Sequence, residues 1–313
     1  SVGVDLGNSH TKVYTNYEGK EIEYIVPSAV KNGYDSFSTV DCEKVIYDNT
    51  EYSVGIGDSL INKRKYFSDY YKIIFLTSIA NTFKELNENS LKIDVAISMP
   101  VNLFKDKEFR ENVKKHINSW GLQKIVVNDK EYLIEISNLD VWVEGGIHLL
   151  NMDRENNTKD IVYDIGGFTQ DSIYVRYGKI IKGNTEKKGI IKLKEELYDL
   201  FRKDHKITDL DNDSKQELFN KIKENSTFKL NDIEISLEKY NKYLDGYVSN
   251  IFDSIEKMYE IDDKNIIFIG GGSVELEDLI KSYGDEYKIK FNKLGNFANA
   301  ITNYFYAKNI MVV

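Results

Sequence analysis

The sequence lacks most of the residues that build cross-links, metal cages or membrane spans. It contains one cysteine, Cys42, among 313 residues, so no internal disulfide and no cysteine-cluster zinc site can form. The four histidines show no paired ligand spacing, which argues against a metal site built on histidine. No apolar run approaches the roughly 18 residues of a membrane span, and the first residues enter a strand rather than a signal-like apolar core. We therefore expect a cytoplasmic protein that does not associate with membranes.

A basic surface and the common nucleotide-loop motifs are also missing. The net charge is −9 and the pI is about 5.2, whereas sequence-independent binding to nucleic acid requires a basic face. We expect no direct contact with nucleic acid. The motif G-x-x-x-x-G-K-[ST] does not occur, which excludes P-loop chemistry, and the glycines near the C-terminus do not follow G-x-G-x-x-G spacing.

The sequence does contain an acidic turn close to its start. Residues 2–12, VGVDLGNSHTK, run from β-prone residues through Asp5 into a Gly-Asn-Ser turn, and a second strand follows. This pattern predicts a β-hairpin whose tip adopts unusual backbone angles. Backbone amides at such a tip, with Lys12 nearby, suit phosphate oxygens, and Asp5 could hold a hydrated magnesium ion. An ordinary hairpin is the alternative, because glycine turns are common.

The same design recurs in the second half of the chain. Residues 161–171, IVYDIGGFTQD, again place an apolar strand, an aspartate, glycine and a small polar turn before another strand. Asp5 and Asp164 lie 159 positions apart, about half of the 313 residues. The repeat predicts two related domains that face each other across a cleft, and each domain would offer an amide-rich turn and a carboxylate to one polyphosphate.

Three motifs together resemble a known superfamily. Asp5-x-Gly7 with Lys12, Asp164-x-Gly166-Gly167-x-Thr169-x-Asp171, and residues 266–273, IIFIGGGS, look like the phosphate 1, phosphate 2 and adenosine motifs of the actin/Hsp70/sugar-kinase ATPases. Within that superfamily the whole chain most resembles the bacterial plasmid-segregation actins of the ParM type.

The resemblance implies an α/β, actin-like (ribonuclease H-like duplicated) fold with two domains and a nucleotide cleft. Domain I would comprise residues 1–143 and about 296–313, with a small inserted subdomain at about 31–90. Domain II would comprise residues 144–295, with a second insert at about 204–235.

The resemblance also implies the roles of the site residues in ATP hydrolysis. Asp5 and Asp164 would act in catalysis by holding Mg²⁺ through water, and Glu144 would orient the attacking water. The alternative for Glu144 is a cap on a helix that starts at Gly145. Lys187 and Lys188 could contact the nucleotide or form a solvated pair. The expected nucleotide-binding residues are Gly7, Asn8, Ser9, His10, Lys12, Gly166, Gly167, Phe168, Thr169, Gly270, Gly271, Gly272 and Ser273.

By the same resemblance, the protein would bind ATP or ADP, with GTP as the alternative nucleotide, and polymerise with itself. A DNA-binding adaptor (ParR-like) would link the filaments to a plasmid centromere. The alternative is a small-molecule kinase or phosphatase of the same superfamily, for which Asp171 is a further candidate base. A chaperone ATPase like Hsp70 would carry a C-terminal peptide-binding domain, which we do not expect in this protein.

Three structural expectations complete the sequence analysis. Apolar spacing predicts a helix over residues 70–86 that buries one face. Residues 130–136 are predicted to form a strand, and residues 141–150 resemble the first inter-domain connecting segment. Small residues such as Ala298 and Ala300 would pack the second connecting helix, in residues 295–306, against that segment.

Overall fold

Two mixed sheets, one in each half of the chain, form the framework of the protein. The computed structural model describes residues 1–34, 41–59, 62–86, 88–147, 159–259, 264–283, 287–291 and 294–310. Within these ranges the fold is a mixed α/β arrangement with two main sheets, as the sequence predicts.

The first sheet has ten strands in the order β3-β2-β1-β8-β10-β9-β5-β6-β4-β7. β1 is parallel to β8 and β8 is parallel to β10, whereas the remaining pairs are antiparallel. β4 to β7 lie in the insert predicted at about 31–90, and they extend this sheet beyond β9. The strands are β1 Val2–Leu6, β2 His10–Tyr17, β3 Lys20–Pro27, β4 Ala29–Asn32, β5 Glu43–Tyr47, β6 Thr50–Val54, β7 Asp58–Ser59, β8 Ser90–Met99, β9 Leu122–Val127 and β10 Lys130–Val143.

The second sheet repeats the central arrangement of the first. Its five strands follow the order β13-β12-β11-β16-β17, so an antiparallel hairpin is again followed by a parallel strand, as in β3-β2-β1-β8. A separate two-stranded hairpin lies in the insert predicted at about 204–235. The strands are β11 Lys159–Ile165, β12 Gln170–Arg176, β13 Lys179–Glu186, β14 Thr227–Leu230, β15 Ile233–Ser236, β16 Asn265–Ile269 and β17 Ile289–Phe291.

Helices cover both sheets. No helix among the described residues is both long and apolar enough to cross a membrane. The helices are α1 Asp69–Thr82, α2 Val101–Lys105, α3 Lys107–Asn118, α4 Ile190–His205, α5 Asn212–Lys223, α6 Glu238–Tyr259, α7 Gly271–Glu275, α8 Glu277–Lys281 and α9 Ala298–Ile310, with 3₁₀ turns at Lys63–Phe67 and Gly295–Phe297.

Helix α1 differs from its prediction in length and in burial. It begins after Ser68, whose hydroxyl accepts a hydrogen bond from the amide of Tyr71, and it ends at Thr82. Every residue from Ile73 to Thr82 is buried, so the expectation of a single buried face was wrong. The cause is enclosure, because α1 contacts β2 and β3 at one end of the sheet and β4, β5, β6 and β9 at the other.

Strand β10 is longer than predicted. It pairs with β8 from Leu133 to Val143, with one irregularity between Ile136 and Asn138. The first residues of the predicted connecting segment, 141–143, are therefore strand, and Glu144 follows directly at the strand end. Residues 148–150 of that segment lie outside the described residues.

Helix α9 packs on the first sheet, mainly against β1 and β8. A Cβ at Gly3 would lie 1.9 Å from the carbonyl oxygen of Ala300, so only glycine permits this approach. Ala298 belongs to the same apolar cluster as Val143 and Ile147 of the connecting region, whereas Ala300 belongs to a cluster with Tyr14 of the first sheet, so its predicted packing on the connecting segment was wrong. The cluster that contains Ala298 includes side chains of the second sheet and so joins the two halves of the protein.

Candidate functional site

A cavity of about 270 Å³ lies between the two sheets, where both hairpin tips end. The site residues predicted from the sequence line it, except Ser273, the alternative base Asp171 and the lysine pair Lys187 and Lys188. The predicted residues that line it are Asp5, Gly7, Asn8, Ser9, His10, Lys12, Glu144, Asp164, Gly166, Gly167, Phe168, Thr169, Gly270, Gly271 and Gly272.

The hairpin tips do not use the unusual backbone angles that the sequence suggested. None of the residues at either tip has a positive φ, so that expectation was wrong. Glycine is required for space instead. A Cβ on Gly7 would lie 2.8 Å from the carbonyl oxygen of His10, and one on Gly166 would lie 3.2 Å from that of Thr169.

The two tips touch each other across the cleft. A Cβ on Gly167 would lie 2.7 Å from Oγ of Ser9, closer than real Cβ contacts allow. The start of α4 holds the second tip in place, because the amides of Ile190 and Ile191 donate to the carbonyls of Gly166 and Gly167 at 3.0 and 2.9 Å. Any side chain at position 167 would therefore push the tips apart.

Asp5 and Asp164 face the cavity from equivalent positions in the two hairpins. Asp5 is 5% exposed; it accepts a hydrogen bond from Oγ of Ser98 at 3.1 Å, and its Oδ2 lies 3.7 Å from Nζ of Lys12. Asp164 is 6% exposed and accepts a hydrogen bond from Nδ2 of Asn299 at 2.7 Å. Burial raises the pKa of Asp164 to about 7, nearby acidic groups add to the rise, and the Asn299 hydrogen bond opposes it.

Glu144 and Asp171 form a pair of acids beside them. Glu144 is fixed at the end of β10 by its amide, which donates to the carbonyl of Met99 at 2.8 Å. Burial, and then the charge of Asp171, raise the pKa of Glu144 well above its ordinary value. Asp171 accepts hydrogen bonds from the amide of Val101 at 2.9 Å, from Oγ1 of Thr185 at 2.5 Å and from the Glu144 carboxyl group.

The backbone directly after Glu144 turns, and no helix starts at Gly145. Gly145 has φ +79°, and its amide donates to Oδ1 of Asn299 at 3.0 Å. Gly146 has no room for a side chain, since a Cβ there would lie 2.0 Å from Nε1 of Trp142. The described residues up to 147 therefore give no support to the alternative in which Glu144 caps a helix starting at Gly145.

Sequence reasoning missed Lys65, which reaches the cavity from the first 3₁₀ turn. Its Nζ donates to the carbonyl of Leu6 at 2.7 Å and to Oδ1 of Asn8 at 2.8 Å, and the residue is only 7% exposed. Burial lowers the pKa of Lys65 to about 8, while the charges of Glu144 and Asp5 oppose the shift. The only sequence signal was a lysine-rich segment before α1.

The glycines after β16 lie at the far side of the cavity. Gly270 has φ +86°, and a Cβ there would lie 2.1 Å from Oδ1 of Asp164. These glycines therefore let α7 approach β11 as well as line the cavity. Ser273 lies outside the cavity, 1% exposed, and its hydroxyl donates to the carbonyl of Ile269 at 2.5 Å. Its predicted contact with the nucleotide has no support in this arrangement.

The predicted lysine pair also lies elsewhere. Neither Lys187 nor Lys188 lines the cavity, and Nζ of Lys188 pairs with Glu186 at 2.8 Å. The lysine that lines the cavity near α4 is Lys194, and its Nζ pairs with Glu275 at 2.5 Å. The basic side chain at this part of the cavity therefore comes from within α4, and not from the loop that precedes the helix.

The arrangement of Asp5 and Asp164 fits a hydrated magnesium ion. Both carboxylates face one cavity, and the charge of Asp5 helps to raise the pKa of Asp164, so a cation between them would relieve their repulsion. Mg²⁺ usually takes one or two carboxylates and keeps several waters. No group of three or more metal-binding side chains occurs among the described residues.

The fold and the cleft together define the class of this protein, which has the actin-like fold. The model of the N-terminal domain of actin-like proteins matches residues 3–146, and the expected likeness of fold to the ParM-type actins is confirmed.

Three solved structures illustrate the likeness. The archaeal actin homolog Ta0583 has a TM-score of 0.77 at 17% identity, over 100% of this chain and 99% of the other. The Alp12 filament structure has a TM-score of 0.69 at 21% identity, over 98% and 97%. A Bacillus thuringiensis ParM hybrid protein with ADP, containing two ParM mutants, has a TM-score of 0.73 at 14% identity, over 99% and 48%. None of the curated protein sequences matches this chain.

Proposed function

We propose that this protein is an actin-like ATPase that hydrolyses ATP with Mg²⁺ and assembles into nucleotide-dependent filaments for plasmid DNA segregation. The observation that carries the proposal is the convergence of both acid-bearing hairpins on one cavity, with Gly167 of one tip against Ser9 of the other. The ADP in the ParM hybrid and the filament form of Alp12 support the two parts of the proposal.

The side chains of the cavity supply what phosphoryl transfer to water requires, which is positioning and charge neutralisation. Lys12 and the two tips bind the phosphates, and Asp5 and Asp164 hold hydrated Mg²⁺. When bound, the ion neutralises charge on the phosphate oxygens. Glu144 orients the attacking water, and its hydrogen bond to Asp171 fixes the direction of its carboxyl group.

In this proposal, closure of the cleft also drives self-assembly. Closing the two halves on a triphosphate would create a head-to-tail contact, and contacts of this kind that do not close into a ring produce open helical filaments. Because the chain carries a net charge of −9, a DNA-binding adaptor of the ParR kind would link the filament to plasmid DNA in the cytoplasm.

Sedimentation combined with phosphate release tests this function. The protein is spun with ATP, GTP, ADP or no nucleotide, each with Mg²⁺, over a range of protein concentrations. We expect pelleting above a threshold concentration with a triphosphate only, and phosphate release that rises with polymer. A dispersed monomer that turns over ATP only when a small-molecule acceptor is added would contradict the filament proposal and indicate a kinase.

A further inference from the structure

The acidic side chains of the cavity oppose the binding of a triphosphate, which is itself negatively charged. Four acidic side chains, Asp5, Glu144, Asp164 and Glu275, line the cavity. Glu275 is paired with Lys194 at 2.5 Å, and Lys12 on the first hairpin lies 3.7 Å from Asp5. A polyphosphate brings several further negative charges, which such a pocket repels unless cations offset them. One magnesium ion and Lys12 leave little positive charge near Glu144, where the terminal phosphate would lie.

Lys65 supplies a further fixed cation from outside the duplicated hairpins, and unlike Lys194 it lies at the first hairpin tip. Its ammonium group lies at the first tip, bonded to the Leu6 carbonyl at 2.7 Å and to Oδ1 of Asn8 at 2.8 Å. Among the acidic groups that act on it, Glu144 has the largest effect and Asp5 the next. An ammonium group has three N–H donors, so two protein acceptors do not exhaust it. Lys65 also lines the cavity itself.

Burying a lysine is costly, so its position requires an explanation. A lysine that is 7% exposed loses most of its hydration, which two neutral acceptors restore only in part. If its only task were to brace the hairpin tip, a neutral polar side chain would serve without that cost. A negatively charged ligand beside Lys65 would make the charge favourable.

We propose that Lys65 binds the terminal phosphate of the nucleotide and thereby makes the site favour triphosphates over diphosphates. This inference rests on the proposed function, since it assigns a residue to the same nucleotide site. In this arrangement Lys12 binds the phosphates nearer β2, and Lys65 binds the terminal phosphate, which faces Glu144.

Lys65→Met tests the proposal through binding rather than turnover. Affinities for ADP and for a non-hydrolysable ATP analogue, each with Mg²⁺, are measured by calorimetry on the full chain. Loss of one charge-assisted contact should weaken the triphosphate about tenfold to hundredfold and leave ADP within about twofold. The matched control is Lys63→Met, because Lys63 is exposed in the same 3₁₀ turn and should change neither affinity.

The other possible changes in the two affinities would each contradict the proposed role of Lys65. An equal loss of both affinities would show that Lys65 only braces the hairpin tip, and no loss would remove it from the site. If the methionine variant does not fold in a thermal melt, Lys65→Gln, which keeps a polar donor, should show the same loss of triphosphate preference. A wild-type protein that binds neither nucleotide would overturn the proposed function itself, whereas normal wild-type binding with an unchanged ratio in the variants would overturn only this inference.

Discussion

Replacing Asp164 by asparagine should stabilise the nucleotide-free protein, and more so at pH 8 than at pH 5. The fold raises the pKa of Asp164 from 3.8 to about 7, so it favours the protonated carboxyl. The stability that this group contributes is therefore fully present below its unfolded pKa and is lost as the pH rises through 7. Asparagine has nearly the same shape as the protonated acid, and its oxygen can still accept the hydrogen bond from Asn299.

The size of the effect follows from the shift in pKa. At about 1.4 kcal/mol per pKa unit, the shift lowers the free energy of unfolding by about 4 kcal/mol at pH 8, where Asp164 is charged in both states, and by about 2 kcal/mol at pH 5, where it must take up a proton to fold. Since the variant carries no such cost, its gain in the free energy of unfolding should be larger at pH 8 by about 2 kcal/mol. These values are upper limits, because relaxation around the charged side chain reduces the cost.

Urea unfolding at both pH values, with and without Mg-ATP, provides the measurement. Mg-ATP should stabilise the wild-type protein through binding, and much less so the variant, which has lost a magnesium ligand. Asp253→Asn, at an exposed site on α6, controls for the loss of one negative charge. Equal destabilisation of the Asp164 variant at both pH values, or undiminished stabilisation by Mg-ATP, would refute the reasoning.

Two further substitutions test the cleft. Glu144→Ala should slow phosphate release at saturating ATP by roughly 100-fold while nucleotide binding persists, and a normal rate would remove Glu144 from the site. Gly167→Ala should weaken Mg-ATP binding at least about tenfold in calorimetry, because its Cβ would lie 2.7 Å from Oγ of Ser9 and part the two tips. Gly246→Ala is the control, since its Cβ would meet nothing within 4 Å, and matching affinities in the two variants would contradict the role of the tips.

Local patterns were sufficient to predict the two hairpins and most of the residues that line the cavity. Each hairpin is a continuous stretch in which an aspartate ends a strand and glycine permits a close turn, so the residues that meet in space also meet in sequence. The repeat added the long-range information, because two equivalent turns in a duplicated fold must face one another. The roles assigned to these residues in catalysis and binding stay predictions.

What the sequence could not predict depends on tertiary contacts. Lys65 lies 59 residues from the carbonyl that it binds, and nothing local distinguishes it from the neighbouring lysines. Asn299, from the other end of the chain, is equally remote from Asp164. On α1, polar residues such as Thr77 and Ser78 are completely buried, although their type suggests a solvent-facing side. In each case the position of another element in the fold decides the environment.

The two halves of the cleft differ at one equivalent position, and that difference gives their aspartates opposite electrostatic environments. In the first hairpin Asp5 is paired across the strands with Lys12, and in the second Asp164 is paired with Asp171. A cation opposite the aspartate offsets its charge and leaves that tip suited to phosphate oxygens. An acid opposite the aspartate instead contributes to the raised pKa values of Asp164 and Glu144, which favours a cation and a polarised water on that side. Because Lys65 also bonds to Asn8 at the first tip, the fixed positive charge of the two hairpins is concentrated on the first side of the cleft, and the proposed function predicts that this side makes the stronger phosphate contacts.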